Sequence, residues 1–516
     1  MTKIIRGFGG APKQPKQPTK APDTLNSKQF ATVQDLISEG EIEGFASASK
    51  AGLTKGTDAY NNAAQKDVFL DDTPLLKSTA SNTSPQSSDF NFQGVEFTPR
   101  FGTATQFHVE GIEGSQSTSS VGTSPTNPLG TVASGESNAV TRQITNTNID
   151  AAKVTITFPQ LQKITNKGDL LGSTVDLKIQ VQYNGGGFSD VLSDTVTGRT
   201  SDAYQREYRI NFTGAFPVDV RVVRLTKDST SSDLVDAFTW TSLGEIVDDK
   251  QKYPNSAYVN LRIDSEQFSS IPKRSFRIRG IKIRIPGAGA SNSGTPTVDL
   301  QTGRIIYPTG YIFNGTMGAA VYTNCPAMCL LDLLTTERYG FGTHISDSTL
   351  DLFSFVAASK YANELVSDGF GGQEARFSCN VNIQGSAEAY QLINELAGVM
   401  RCFPIWSEGS VTITQDRPTD PSYLFSLANV SEAGFSYSGS SLKQRHTVIS
   451  VAYFNMDSRE IDYEVIEDST AQAKLGIVKK DVRAFACTSR GQAQRLGKAI
   501  LFSEQNESEV VTFQHQ

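Results

Sequence analysis

Period-two alternation of apolar side chains constrains this chain more than any other feature. Val175, Leu177, Ile179, Val181 and Tyr183 occupy every second position and run into Asn184-Gly185, a dipeptide suited to the left-handed positions of a tight hairpin turn. Only an extended strand with one buried face gathers those five side chains, so a β-hairpin is expected here. Val154, Ile156 and Phe158 repeat the period and stop at Pro159. Between residues 276 and 285 the period breaks: Phe276 and Ile278 lie on one phase, Ile281, Ile283 and Ile285 on the other, with the slip at Gly280, as a bulge would require.

Helical spacing enters later. Beyond Asn324, a plausible cap, Pro326 sits near a first helical position, and Met328, Leu331 and Leu334 follow until Gly340 and Gly342. Ala389, Leu392, Ile393, Leu396, Ala397 and Met400 form one apolar stripe, and a hairpin-like stretch from Phe403 to Thr414 carries Trp406. A further helix is predicted from Thr488 or Ser489 to about Ser503. The first 320 residues therefore read as mainly β and the C-terminal third as α+β.

Two segments break the pattern. Residues 11–24 alternate Pro with Lys and Gln, a composition that supports neither helix nor ladder, and are expected to form an extended arm. Residues 111–140 are rich in Gly, Ser and Thr, with isolated apolar positions, and are expected to form a long loop or linker. With 516 residues the chain can bury several cores, which gives a division into 1–24 (arm), 25–110, 111–140 (linker), 141–250 (a β-sandwich-like domain), 251–320, 321–480 (α+β) and 481–516.

The charge balance, 47 basic against 54 acidic residues, argues against a protein that coats DNA or anionic membrane. One local exception is basic: Lys273, Arg274, Arg277, Arg279, Lys282 and Arg284 cluster on and before the strand around Gly280. A phosphate-facing stripe is one reading of it, and a solvated face, or one facing acidic residues of a neighbouring subunit, is the more ordinary one. No apolar run has the length of an export signal core or a membrane span, so neither secretion by a signal nor stable membrane insertion is expected.

Catalytic motifs are missing: no H-E-x-x-H, paired C-x-x-C, G-x-S-x-G or phosphate-binding loop occurs. Cys325 and Cys329 stand four apart on a predicted helix, yet nothing nearby completes a tetrahedral metal site, and buried small hydrophobes are the stronger reading. Cys487 with His446 is a weak nucleophile–base pair. Asp71-Asp72 and Asp248-Asp249 are adjacent carboxylates that point apart in a strand or fall in a turn. No catalytic residue, cofactor or metal is predicted, although a cell-wall or polysaccharide hydrolase and a carbohydrate-binding sandwich remain the alternatives.

Several collinear stretches carry a resemblance: LNSKQFATVQDLISEGEIEGF (25–45), TWTSLGEIVDDKQKYPNSAYVNLRIDSEQF (239–268), IFNGT (312–316), RYGFG (338–342), DGFGG (368–372), MRCFPIW (400–406), QDRP (415–418) and CTSRGQ (487–492). In these the chain resembles the N-terminal hub portion of the lambda-type phage tail tip attachment protein J family, also called the central tail fibre or host specificity family. The resemblance implies a multidomain hub of β-barrels with a β-sandwich-like insertion. It also implies a homotrimer that closes the distal end of a non-contractile tail tube, assembles in the host cytoplasm, and contacts the tube and other tip proteins. Through a C-terminal fibre outside this chain such a hub reaches a host cell-surface receptor, and DNA passes it without specific binding. Two segments are expected to make its contacts: the arm, with Pro12, Pro15, Pro18 and Pro22, clamping a neighbouring subunit, and Ser38, Glu39, Gly40, Glu41, Ile42, Glu43, Gly44 and Phe45, packing between subunits.

Overall fold

A computed structural model describes residues 19–25, 30–264, 267–268, 270–384, 389–407, 409–421, 423–439, 445–507 and 509–514. Strands dominate, and most helices come after residue 325.

The alternating strands form a β-sandwich. One sheet orders Phe188–Gly198, Ser173–Tyr183, Val218–Arg224 and Val140–Ile144; the other orders Tyr204–Asn211, Ala151–Phe158, Thr239–Asp248 and Glu113–Thr123. Val175, Leu177, Ile179 and Val181 meet Val154, Ile156, Phe158 and Trp240 in one core, all of them buried. Asn184 and Gly185 take φ of 46° and 74°, the pair of left-handed residues the hairpin needs. Trp240 is fully buried and still satisfies its indole N–H, which donates to the Ser242 carbonyl at 2.9 Å.

Two expectations are corrected. The Gly/Ser/Thr-rich stretch 111–140 is not simply a linker: it contains the eleven-residue strand Glu113–Thr123 and the helix Val132–Ser137. That strand lies at a sheet edge with nearly every residue exposed, so its stability comes from the ladder to Thr239–Asp248 rather than from an apolar face, and no alternation marks it. Nor does a β-barrel close. Among the described residues the sheets flanking the sandwich are open and have two or three strands. Around the strands Phe30–Glu39, Ser256–Asp264 and Glu96–Phe101, the short helices Ala46–Lys50 and Asp58–Gln65 supply Ala48, Tyr60, Ala63 and Ala64 to the core, which is thus covered by helix as well as by strand.

The strand Ile278–Pro286 links two cores. Its first residues pair with Ile42–Phe45 and its last with Met317–Tyr322. Phe276 and Ile278 pack against the core of residues 45–75 and 259–263, whereas Ile283 and Ile285 enter the next one, built on helices Pro326–Thr335, Leu352–Ala362 and Ala389–Val399. The change of apolar phase at Gly280 is the change of core. Pro326 opens its helix at the first position, with Cys325 rather than Asn324 as the cap. The hairpin Cys402–Ser407 with Ser410–Gln415 packs on this core through Cys402 and Ile413.

The last unit is a two-layer α/β arrangement. Val448–Asn455 is the central strand, antiparallel to Glu460–Glu467 and parallel to Lys479–Arg483. Helix Arg490–Asn506, capped by Ser489, covers one face through Ala493 and Leu501 against Ile449, Val451 and Tyr453. No helix among the described residues is long and apolar enough to cross a membrane.

Candidate assembly surfaces

The segment from Ser38 to Phe45 forms a joint within the chain. Ser38 and Glu39 end a strand, the Ser38 hydroxyl donating to the Glu39 carbonyl at 3.1 Å, and Gly40 turns the backbone. Glu41 pairs with Lys282 at 2.8 Å; Ile42 and Phe45 are buried; Glu43 is partly exposed between them. Gly44, at φ 129°, allows Tyr60 to approach so closely that a Cβ there would stand 2.0 Å from the phenol oxygen. That oxygen accepts the Phe45 N–H at 3.2 Å. The same segment meets a second of the resemblance motifs: Arg338 donates to Glu39 at 2.6 Å, and the Tyr339 ring lies over Gly40. Tyr339 in turn donates to Asp332 at 2.7 Å. Burial holds the Asp332 carboxyl above its ordinary range, with the Tyr339 bond opposing it.

Four of the six basic side chains of the stripe are paired with the chain's own acids, Lys282 with Glu41 as above. Arg274 grips Asp35 with two bonds of 2.6 and 2.9 Å, Arg277 donates to the fully buried Asp67 at 2.7 Å, and Arg284 takes Asp347 at 2.8 and 3.0 Å. Arg279 is buried, donating to the Gln301 carbonyl at 3.0 Å over the Tyr322 ring. Bidentate guanidinium–carboxylate pairs of this kind leave little charge for an external phosphate. The phosphate-facing reading therefore has no support in the geometry.

Of the arm, Pro12, Pro15 and Pro18 lie outside the described residues, and Pro22 is exposed. Residues 19–25 run along the chain's own sandwich. Thr19 donates twice to Asp169, at 2.6 and 2.7 Å; the Ala21 N–H reaches the Leu170 carbonyl at 2.9 Å; Leu25 packs on the sandwich core. Arg199, almost fully buried, donates to the Ala21 carbonyl at 2.7 Å and pairs with Asp23. The Ser201 hydroxyl and this guanidinium hold the Asp23 carboxyl below its ordinary range.

The candidates for chemistry are kept apart. Cys325 lies against the Ser359 hydroxyl at 3.2 Å, while Cys329 faces Cys379, so the two do not share a ligand position. His446 bonds Glu504 at 2.8 Å, near the end of the helix whose start is preceded by Cys487, about 20 Å away at 1.5 Å per residue. Burial pushes the Cys487 thiol up to about 11, far from an activated nucleophile. Asp71 and Asp72 form a turn at φ 43° and 67°; Asp248 is held by Arg209 at 2.6 and 2.7 Å and Asp249 caps the Gln251 N–H at 3.0 Å. Among the described residues no three potential metal ligands cluster.

Sequence reasoning missed the exposed apolar side chains of the last third. Phe403, Ile405 and Trp406 on the hairpin, and Phe454, Ile461, Tyr463 and Val465 on the outer face of the last sheet, all face solvent. On the sheet this could have been suspected from the 460–465 alternation, in which acidic side chains take the phase that faces the helix.

Comparison with known proteins gives these features a context. Residues 131–249 match the family described as "Tip attachment protein J, FNIII-A domain", and residues 388–515 match "Putative phage tail protein". The first span covers the sandwich apart from its edge strand Glu113–Thr123, and the second covers the hairpin and the last sheet. The two matches define a structural protein of a phage tail. Along nearly its whole length the chain is similar to tip attachment proteins: it is 30% identical over 501 residues to "Tip attachment protein J" of Escherichia phage SECphi27, covering 96% of this chain and 38% of the relative. With the protein of the same name from Escherichia phage SECphi4 it shares 29% over 508 residues, 97% of this chain and 40% of that one. It thus spans about two fifths of the length of these relatives. Among solved structures, one titled "CBM4 structure and function" aligns with 35% of this chain at 12% identity and a TM-score of 0.14, too low to carry an argument.

Proposed function

We propose that this chain is a subunit of the phage tail tip: a homotrimeric hub that closes the distal end of a non-contractile tail tube, joins it to a central fibre, and takes part in host attachment and DNA ejection. The observation that carries the reading is the collinear relationship to tip attachment proteins along 96% of the chain. In this reading the segments 25–110 and 251–320 form the hub body, 141–250 is an inserted sandwich, and 321–480 with 481–516 complete the ring. The role is structural rather than enzymatic, in keeping with carboxylates engaged in ion pairs and thiols raised by burial. The Ser38–Phe45 segment acts as an intrachain joint that sets the angle between two cores, and the N-terminal arm, residues 1–24, clamps a neighbouring tip subunit. Assembly takes place in the host cytoplasm, and receptor contact belongs to a fibre beyond this chain.

The test is gold-labelled antibody against the chain on intact virions, viewed by negative stain. Label confined to the distal end of the tail is expected; label elsewhere on the particle would overturn the assignment.

A further inference from the structure

Two apolar surfaces in the last third lack a cover among the described residues. One is on the hairpin. The hairpin strand Cys402–Ser407 is anchored from beneath by Cys402; Phe403 and Ile405 point away from the core on the opposite phase, 63% and 46% exposed, and Trp406, on the Cys402 phase, stands 67% exposed beside the turn. The other is a groove. Helix Arg490–Asn506 covers one face of the last sheet, but the opposite face opens on a space of about 1210 Å³. Its floor is formed by Ser450, Ala452 and Phe454; one wall is apolar, Ile461 and Tyr463 with Val465 next on the same strand, and the other is charged, with Lys479 and Asp481 paired at 2.8 Å and Arg483 beyond them. Ile461, Tyr463 and Val465 are 55%, 61% and 51% exposed. At the areas such side chains bury, each surface offers roughly 400 Å² of apolar area, near the top of what a monomer leaves in the open.

The two surfaces suit each other. They match in apolar area and are built on separate cores. Their charged borders are complementary as well. On the groove side, Arg483 has no ion pair among the described residues. At the foot of the hairpin, Asp416 is 67% exposed and its nearest cation, Arg401, stands at 3.9 Å. A chain that carries both halves of a contact and satisfies neither internally associates head to tail, and a rotation that closes makes a ring. Roughly 800 Å² of apolar area from the two halves, with a polar rim, approaches the ~1,000 Å² that specific interfaces require.

We infer that the hairpin of one copy seats in the sheet-face groove of the next, with Asp416 meeting Arg483 across the rim. The inference rests on the trimer reading and names the contact that would build it.

The experiment uses the full chain and its mass in solution by light scattering. One variant carries Ile405→Asp and Trp406→Asp; a second carries Tyr463→Asp and Val465→Asp. All four side chains are exposed, so unchanged circular dichroism and thermal melting are expected and confirm folding. Wild type is expected at about 168 kDa for three copies of 55.9 kDa. Each variant alone is expected to run as a monomer, with the dissociation constant raised at least 100-fold. Mixed one to one they are expected to form a dimer, because the pair retains one intact hairpin and one intact groove. A second pair, Asp416→Arg and Arg483→Asp, is expected to weaken the trimer singly and to restore it when both are present in one chain. Folded variants that remain trimeric would overturn the inference and leave the trimer standing. A mixture that stays monomeric while wild type is trimeric would overturn the head-to-tail contact. A wild-type chain that is monomeric at all concentrations would remove the trimer reading and the inference with it.

Discussion

Gly44→Ala tests the joint between two of the chain's cores. Gly44 sits at φ 129°, where an L side chain is strained by about 1–3 kcal/mol, and its added Cβ would lie 2.0 Å from the Tyr60 phenol oxygen. Tyr60 is buried at 1% exposure and stays neutral, burial having pushed its phenol up to about 12, so it cannot swing into solvent without emptying part of the core. Overpacking of that kind costs a further ~1–3 kcal/mol. The substitution should therefore destabilise the N-terminal portion of the chain by about 2–6 kcal/mol, and at ~2–4 °C per kcal/mol its thermal transition should fall by about 10 °C. Tyr60→Phe alone leaves the Phe45 N–H without its acceptor, at ~1–3 kcal/mol. In the double variant the nearest remaining atoms are the ring Cζ at 3.3 Å and Phe101 at 3.4 Å, contacts that can relax. The double variant should thus cost less than the sum of the singles, by about 1–3 kcal/mol. Calorimetry of the four chains, resolving each transition because a multidomain chain does not melt as one unit, supplies the numbers. Strict additivity, or a Gly44→Ala cost below about 0.5 kcal/mol, would refute the packing argument. Normal melting combined with loss of the trimer would instead return the segment to the inter-subunit role its sequence suggests.

Two further outcomes follow from burial. The Asp332 carboxyl is raised by burial above its unfolded value of about 3.9, so the folded chain holds more protons there, and stability falls as pH climbs from about 4 through the folded value. Asp332→Asn keeps an acceptor for Tyr339 and should raise the melting temperature at pH 7 while leaving it unchanged near pH 3; equal melting at pH 7 would contradict the assignment. The five thiols, four of them buried and Cys402 and Cys487 pushed up to about 12 and about 11 by burial, should resist a disulfide reagent at pH 8 in the native chain and all react in denaturant. A thiol that titrates within minutes under native conditions would show that a core has been misassigned.

How much of this was legible depended on how local the determinant is. The hairpin at Asn184-Gly185 was readable because alternation and turn chemistry lie within a dozen residues, and so was the helix at Pro326. The phase slip at Gly280 was readable too, although the sequence could show only that a face changes, and the structure supplies the reason, a strand passing from one core to the next. The strand Glu113–Thr123 was hidden because an exposed edge needs no apolar phase. The helix Asp58–Gln65 was hidden because its buried side is mostly alanine, which leaves a weak stripe. The basic stripe shows the limit most clearly. Its residue types suggest a ligand, yet Asp35, Glu41 and Asp67 lie more than 200 residues before Arg274, Lys282 and Arg277 and were chosen by topology alone. Sequence pattern reports which side chains must find a partner, and only the fold reports whether the partner is already in the chain. For the arginines it is. For Trp406 and Tyr463 no cover stands among the described residues, and that difference separates a charged face satisfied within the chain from apolar side chains open to a second copy.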